Sequence, residues 1–191
     1  MRTKIPIEVS ARHVHLRQKD LEKLFGKGYK LKILHPISQP GQFAAKEEVE
    51  IVNGNEKLKA RIVGPCRKQS QIEISITDAH KLKMKKIPSI RVSGDLGNTS
   101  KIEIRGPKGK IKANIIIAQR HFHASEKEAK KFRVKNNQIV KIKIAGKRAL
   151  IFENVIVRAG KEHSLAFQID TDEANAAGIS EKTKTYGEII K

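Results

Sequence analysis

Apolar and polar residues alternate with a period of two along much of this chain. The runs at 48–52, 58–63, 71–75 and 138–144 put every second side chain on one face, as in strands with one buried side. Leu31-Lys32-Ile33-Leu34 reads the same way, and the stretches at 5–9 and 114–118 are rich in β-branched residues that favour strands. Asn53-Gly54-Asn55 predicts a hairpin turn between two of these runs. Gly64-Pro65 and Gly106-Pro107 mark strand ends, and Ser93-Gly94-Asp95-Leu96-Gly97-Asn98 reads as a loop. Helical signals are short. Leu16, Leu21, Leu24 and Phe25 share one face, Ser125-Glu126-Lys127-Glu128 reads as a capping box before Ala129 and Phe132, and 170–178 reads as a capped helix with a glycine stop. Many short strands with small linkers predict a mainly β fold, barrels or sandwiches capped by short helices.

A chain of 191 residues with 38% hydrophobic residues can bury a core as one domain or two small ones. It has no apolar run long enough to span a membrane, and its polar, basic start lacks the apolar centre of a secretory signal. A cytoplasmic protein is therefore expected. The single Cys66 cannot form an internal disulfide, which agrees with a reducing compartment, and it reads as a small, partly buried side chain. The net charge of +20 favours polyanions, nucleic acid or phosphorylated metabolites alike. Because the basic residues are scattered and aromatics make up only 4%, a solvated enzyme surface is the better reading than a specific nucleic-acid site.

The chemistry concentrates in a repeated tetrapeptide, Arg12-His13-Val14-His15 and Arg120-His121-Phe122-His123. In an extended strand, residues i and i+2 share a face, so each His-x-His can aim two imidazoles at one metal ion. Each copy follows a β-branched run and precedes a helical signal, so the unit is strand, His-x-His, short helix, used twice. A single copy could be an ordinary pair of strand histidines; the duplication argues against that. Arg67 and Glu73 lie near the start and middle of one predicted strand, where an arginine suits a phosphate and a glutamate can join two histidines on zinc. Their plain alternatives are a surface arginine and an outward-facing glutamate.

Together with Ser38-Gln39-Pro40-Gly41-Gln42-Phe43-Ala44, Gly64-Pro65-Cys66-Arg67 and 170–178, these motifs resemble the PduL-type phosphate propanoyltransferases from about residue 5 to about residue 180. The resemblance implies two β-barrels capped by short helices, with the first strand joining the C-terminal barrel. It divides the chain into 1–10 plus 119–191 and 11–118. It implies transfer of an acetyl or propanoyl group between coenzyme A and phosphate, with acyl phosphate as the other partner, and a homodimer. His13, His15 and Glu73 match a first zinc site, His121 and His123 two ligands of a second, and Arg67 the phosphate-binding residue. Val9, Ser10, Arg61 and Asn175 match positions that contact coenzyme A. Where the family has a third histidine, this chain has Gln168, a poorer zinc ligand, so the second site is expected to hold its metal less tightly. His163 lies five residues earlier, which on a regular strand points it to the opposite face unless a bulge intervenes.

Two other classes stay open on the residues alone: a zinc hydrolase or phosphoesterase, and a basic nucleic-acid-binding module with structural histidines. Family members packed into microcompartments carry an amphipathic N-terminal extension. His13 lies too close to Met1 for such a helix, so a freely cytosolic enzyme is expected.

Overall fold

The computed structural model describes residues 4–180 and 184–190. The expected domain boundaries also take in residues 1–3, 181–183 and 191, which lie outside the described residues. Along the chain come β1 (Ile5–Ser10), β2 (His13–His15), α1 (Gln18–Phe25), β3 (Ile33–Pro36), β4 (Phe43–Asn53), β5 (Glu56–Gly64) and β6 (Gln71–Glu73). After these follow α2 (Ile76–Lys81), β7 (Ile90–Arg91), β8 (Lys101–Arg105), β9 (Lys110–Ala118) and β10 (His121–Ala124). The chain ends with α3 (Glu126–Phe132), β11 (Ile139–Ile144), β12 (Leu150–Ala159), β13 (Ala166–Asp170), α4 (Thr171–Ala176) and β14 (Tyr186–Ile190). The protein is mainly β, as the alternating pattern predicts, and its strands close into two barrels with short helices attached.

The chain forms two compact units, one of Ala11–Ile37 and Gly41–Ala118, the other of 4–10, 38–40, 119–180 and 184–190. In the first unit the ring runs β4-β5-β2-β6-β9-β8 and returns to β4, with β3 and β7 as attachments. In the second it runs β11-β12-β10-β13-β1-β14 and returns to β11. Taken in that order, each pairing has the same parallel or antiparallel sense in both rings, so the barrels are topological copies. The lead strands are exchanged: β1 precedes β2 in sequence but belongs to the second barrel, and β9 precedes β10 but belongs to the first.

Burial follows the period-two pattern. In β11, Val140, Ile142 and Ile144 are buried while Lys141 and Lys143 face solvent. Val14, Ile62, Ile72 and Ile115 sit side by side on four neighbouring strands of the first barrel, each fully buried. Phe122, Val157 and Phe167 form the matching belt in the second. Helix α1 adds Leu21 and Leu24, one turn apart and fully buried, each contributing about 1.5–3 kcal/mol of apolar burial. The capping box at Ser125 and Glu128 forms as its spacing predicts, and Asp170 with Glu173 makes another.

Three local expectations are corrected. Leu31 and Lys32 are not in a strand, and β3 is exposed at all four positions. The run at 71–75 ends as a strand at Glu73, because Ser75 caps α2, with Asp78 completing its capping box. The unforeseen α2 is six residues long; Ile76 is exposed, and only Ala79 and the C-cap Leu82 reach the core, too short an apolar pattern to show as a helical period.

Candidate active site and metal centres

Val14 points into the first barrel's core, so His13 and His15 leave β2 on the opposite face. Strand β6 runs antiparallel beside β2 and sets Glu73 opposite His13. The two Nε2 atoms lie 3.1 Å apart, and the Glu73 oxygens approach them at 3.7 and 3.8 Å. Among the described residues, this is the one group of three metal-type ligand atoms within 4.8 Å of one another. Each ring is oriented from behind: His13 Nδ1–H donates to the Ala11 carbonyl at 2.9 Å, and His15 Nδ1–H to the Val63 carbonyl at 3.0 Å. A carbonyl only accepts, so a neutral ring keeps its lone pair on Nε2, and both lone pairs face the carboxylate. This donor set fits a zinc-type cation with a position left for substrate. Glu73 is buried at 6% exposure rather than outward-facing.

The electrostatics agree with the geometry. Burial pushes the Glu73 carboxyl up, but the His13 imidazole and the hydrogen bonds around it hold it well below the usual range. Burial pushes His13 down, yet the Glu73 charge and hydrogen bond raise it overall. His15 falls well below its ordinary value through burial and the positive charges of His13 and Arg67. Cys66 is half-buried and its thiol is pushed up by burial, consistent with a packing role.

A hydrogen-bonded line connects Arg67 to the carboxylate. Arg67 Nη1 donates to Ser93 Oγ at 3.1 Å, and Ser93 Oγ–H donates to Glu73 Oε1 at 2.7 Å. Gln71 Nε2 donates to both Ser93 Oγ, at 2.8 Å, and Glu73, while Gly94 N–H fixes the Gln71 carbonyl oxygen at 3.0 Å. Arg67 Nη2 also reaches Gln42 Oε1 at 3.3 Å. Ser93, Gln71 and Gln42 are the residues that sequence reasoning missed; Gln42 stood in a quoted motif and Ser93 in a predicted loop, but nothing local shows that they converge on Glu73 and Arg67.

The arginine of each tetrapeptide has the same structural task. Arg12 Nη2 binds Asp78 at 2.7 Å, the third residue of α2, and Arg120 Nε binds Glu173 at 2.6 Å, the third residue of α4. Each arginine thus ties the His-x-His strand to the helix that follows the neighbouring strand. Arg120 therefore does not stand beside the second histidine pair as an unpaired positive charge.

In the second barrel, His121 and His123 form the same edge-to-face pair, with ring centroids 4.5 Å apart against 4.8 Å for His13 and His15. Gln168 stands opposite His121 as Glu73 stands opposite His13. Its Oε1 lies 3.0 Å from His121 Nε2, and its Nε2 donates to Glu8 at 3.0 Å. His163 is on no strand; it lies in the turn before β13, so the parity that pointed it away does not apply. Its ring sits 4.5 Å from that of His123. Burial and the neighbouring His121, His163 and Arg158 push His123 down to about 2.

Val9 and Ser10 end β1 and Asn175 lies in α4, all in the second unit. Arg61 belongs to the first, where it holds the Ala45 carbonyl at 2.9 Å and Glu48 at 2.6 Å.

Paired imidazoles, a buried carboxylate and an arginine on one hydrogen-bonded line are the equipment of an enzyme that handles an anionic substrate. A model of the phosphate propanoyltransferase family matches residues 6–180. A phosphate propanoyltransferase of Thermotoga maritima is 45% identical over 186 residues, covering 95% of this chain and 88% of its own length. Those of Clostridioides difficile and Lachnoclostridium phytofermentans are 43% and 46% identical, covering 98% and 97% of this chain and 89% and 85% of theirs. The chain belongs to the phosphate propanoyltransferase family and is a phosphate acyltransferase.

Proposed function

We propose that this enzyme interconverts acyl-CoA plus phosphate with acyl phosphate plus coenzyme A, with zinc held by His13, His15 and Glu73. The observation that carries the reading is the line from Arg67 through Ser93 to Glu73, which sets an anion-binding fork beside a three-ligand set. In the forward direction a phosphate oxygen attacks the thioester carbonyl, a C–O bond forms, the C–S bond breaks and the thiolate leaves. Arg67 neutralises the phosphate and fixes its approach through two parallel N–H bonds. Ser93 and Gln71 keep Glu73 and the guanidinium in mutual register. Zinc bound at the triad supplies Lewis acidity toward a carbonyl oxygen or a thiolate. Val9, Ser10, Arg61 and Asn175 contact coenzyme A on this reading. The acyl group is acetyl or propanoyl, the enzyme is a cytosolic homodimer, and His121, His123 and Gln168 bind a second, weaker zinc.

No helix of the described residues is long and apolar enough to cross a membrane. The deciding assay is thiol release from acetyl-CoA and propanoyl-CoA by metal-reconstituted protein, with and without phosphate. Phosphate-dependent release supports transfer; release without phosphate points to a hydrolase. His15→Ala should lose one equivalent of bound metal and nearly all turnover, and unchanged rates in that variant would sink the assignment of the triad.

A further inference from the structure

We infer that a basic cleft on the second barrel is a binding site for a polyphosphate anion. The cleft uses none of the residues to which acyl transfer, metal or coenzyme A has been assigned above.

Three segments separate in sequence build its charge. Lys4 stands just before β1, Lys147 and Arg148 lie in the turn between β11 and β12, and Lys184 leads into β14. Lys143 of β11 joins them, and its cross-strand neighbour Glu188 is the one carboxylate among the described residues of the lining. Five cations against one acid leave the wall at a net +4. The balance is local: Lys141, two residues earlier on the same strand, is neutralised by Glu153 at 2.5 Å, whereas the turn beyond Ile144 brings in two cations and no acid. A cleft lined by one sign of charge concentrates its field and draws in counter-charge. It also lies apart from the histidine pair of its own barrel. Ile156 of β12 stands beside His121, and β12 begins at Leu150, six residues and roughly 15–20 Å back along the strand.

Shape and chemistry narrow the ligand. The cleft has a volume of about 980 Å³, at the upper end for a small-molecule site, and its cations are spread over three segments. A single phosphate reaches one or two of them; a chain of phosphates bridges them. Lysine ammoniums meet such a ligand as point charges, and Arg148 adds a planar fork. The Arg148 stem is already placed: its Cβ, Cγ and Cδ lie 3.1–3.4 Å from where a Cβ at position 178 would stand, room that Gly178 alone leaves. An ordered stem loses less freedom on binding. Tyr186 lines the same cleft with its side chain 43% exposed, and Lys4 Nζ lies 5.7 Å from the ring centroid. An open aromatic face takes a nucleobase by stacking, so the polyphosphate can arrive on a nucleoside as well as free.

The test uses the full-length, metal-loaded protein and a trace of fluorescently labelled ATP read by anisotropy at low salt, with ATP and inorganic tripolyphosphate as competitors. Saturable binding is expected, weakened at least about 10-fold when Lys147→Glu and Arg148→Glu are combined in their exposed turn. Lys127→Glu combined with Lys130→Glu changes the net charge equally on exposed positions of α3 and should leave binding unchanged. Both double variants should keep the wild-type KM for acyl-CoA and for phosphate, which also shows that they fold. Tyr186→Leu separates the two sources. Weaker ATP with unchanged tripolyphosphate identifies a nucleoside carrier, and no change in either identifies free polyphosphate; both results support the site. Absence of saturable binding overturns the inference. Equal weakening in the α3 variant overturns it too, because the attraction then belongs to the protein's overall charge. A raised KM for acyl-CoA in the turn variant also overturns it, by making the cleft part of the coenzyme A site.

Discussion

Replacing Ser93 by alanine tests whether the line from Arg67 to Glu73 works as a unit. The hydroxyl donates to a buried, ionised carboxylate at 2.7 Å and accepts from Arg67 at 3.1 Å and Gln71 at 2.8 Å. A hydrogen bond to a charged group contributes about 1.5–3 kcal/mol. Glu73 keeps its bond from Gln71 and Arg67 keeps Gln42, so the net loss is set near the low end, about 2 kcal/mol. For a chain of this size, that lowers the melting temperature by about 4–8 °C. The effect on function is more specific. With the guanidinium deprived of its Ser93 contact, its fork no longer meets phosphate in a fixed orientation, and the apparent phosphate affinity should weaken about 10-fold, or about 1.4 kcal/mol. Thiol release measured against phosphate concentration at fixed acyl-CoA reads this directly, and the acyl-CoA dependence serves as the internal control. Ser93→Thr keeps the hydroxyl and should recover most of the phosphate dependence. If Ser93→Ala leaves both melting temperature and phosphate dependence unchanged, the network does not position Arg67.

Arg67→Lys keeps the charge and loses the planar fork, so phosphate affinity should weaken more than acyl-CoA affinity; equal losses in steady-state kinetics would indicate a structural role. Arg12→Ala leaves the buried Asp78 without its ion-pair partner, and because Arg12 is a third exposed, a loss of about 1–3 kcal/mol in chemical denaturation is expected, smaller than for a fully buried pair. Stability of the chelated protein should fall as pH drops from 7 to 5. His123 is depressed to about 2 from an ordinary 6.5, so its contribution is present above 6.5 and is lost as pH falls toward the folded value, by up to about 1.4 kcal/mol per pH unit. His15, also depressed, acts in the same sense; His13, raised, contributes below 6.5 and loses that contribution as pH rises through its folded value. Thermal melts across this range should show the fall, and His123→Asn should make it shallower.

The parts of the structure legible in the sequence are those set within a few residues. Alternation gave β4, β5 and β11, Asn53-Gly54-Asn55 gave their hairpin, and Ser125 with Glu128 gave the cap of α3. The pairing of each His-x-His on one face also follows from strand geometry alone. Register is a different matter. His13 meets Glu73, and His121 meets Gln168, only because of how strands pair across the barrels, and no local rule specifies that. The helix α2 is too short to show a helical period: six residues held by the Ser75–Asp78 cap, with only Ala79 and Leu82 packed on the core. Strand parity does not aim His163, because the chain from Gly160 to His163 closes a turn instead of continuing as a strand. Likewise Arg12 and Arg120 could be recognised as repeated, but their ion pairs to the third residue of α2 and α4 required the folded helices.

The exchanged lead strands impose an order on the nascent chain. All six ring strands of the first barrel lie within residues 13–118, so that ring can close once β9 has left the ribosome. Strand β1 is made before any of them, but its partner in β13 arrives late: Ile7 must wait for Phe167. At roughly 5–20 residues per second, those ~160 residues take about 8–32 s. Throughout that interval Ile5, Ile7 and Val9 form an apolar strand with no native neighbour, the kind of edge that pairs with other chains. A stop after residue 118 would therefore release a finished first barrel carrying a permanently unpaired strand at its front.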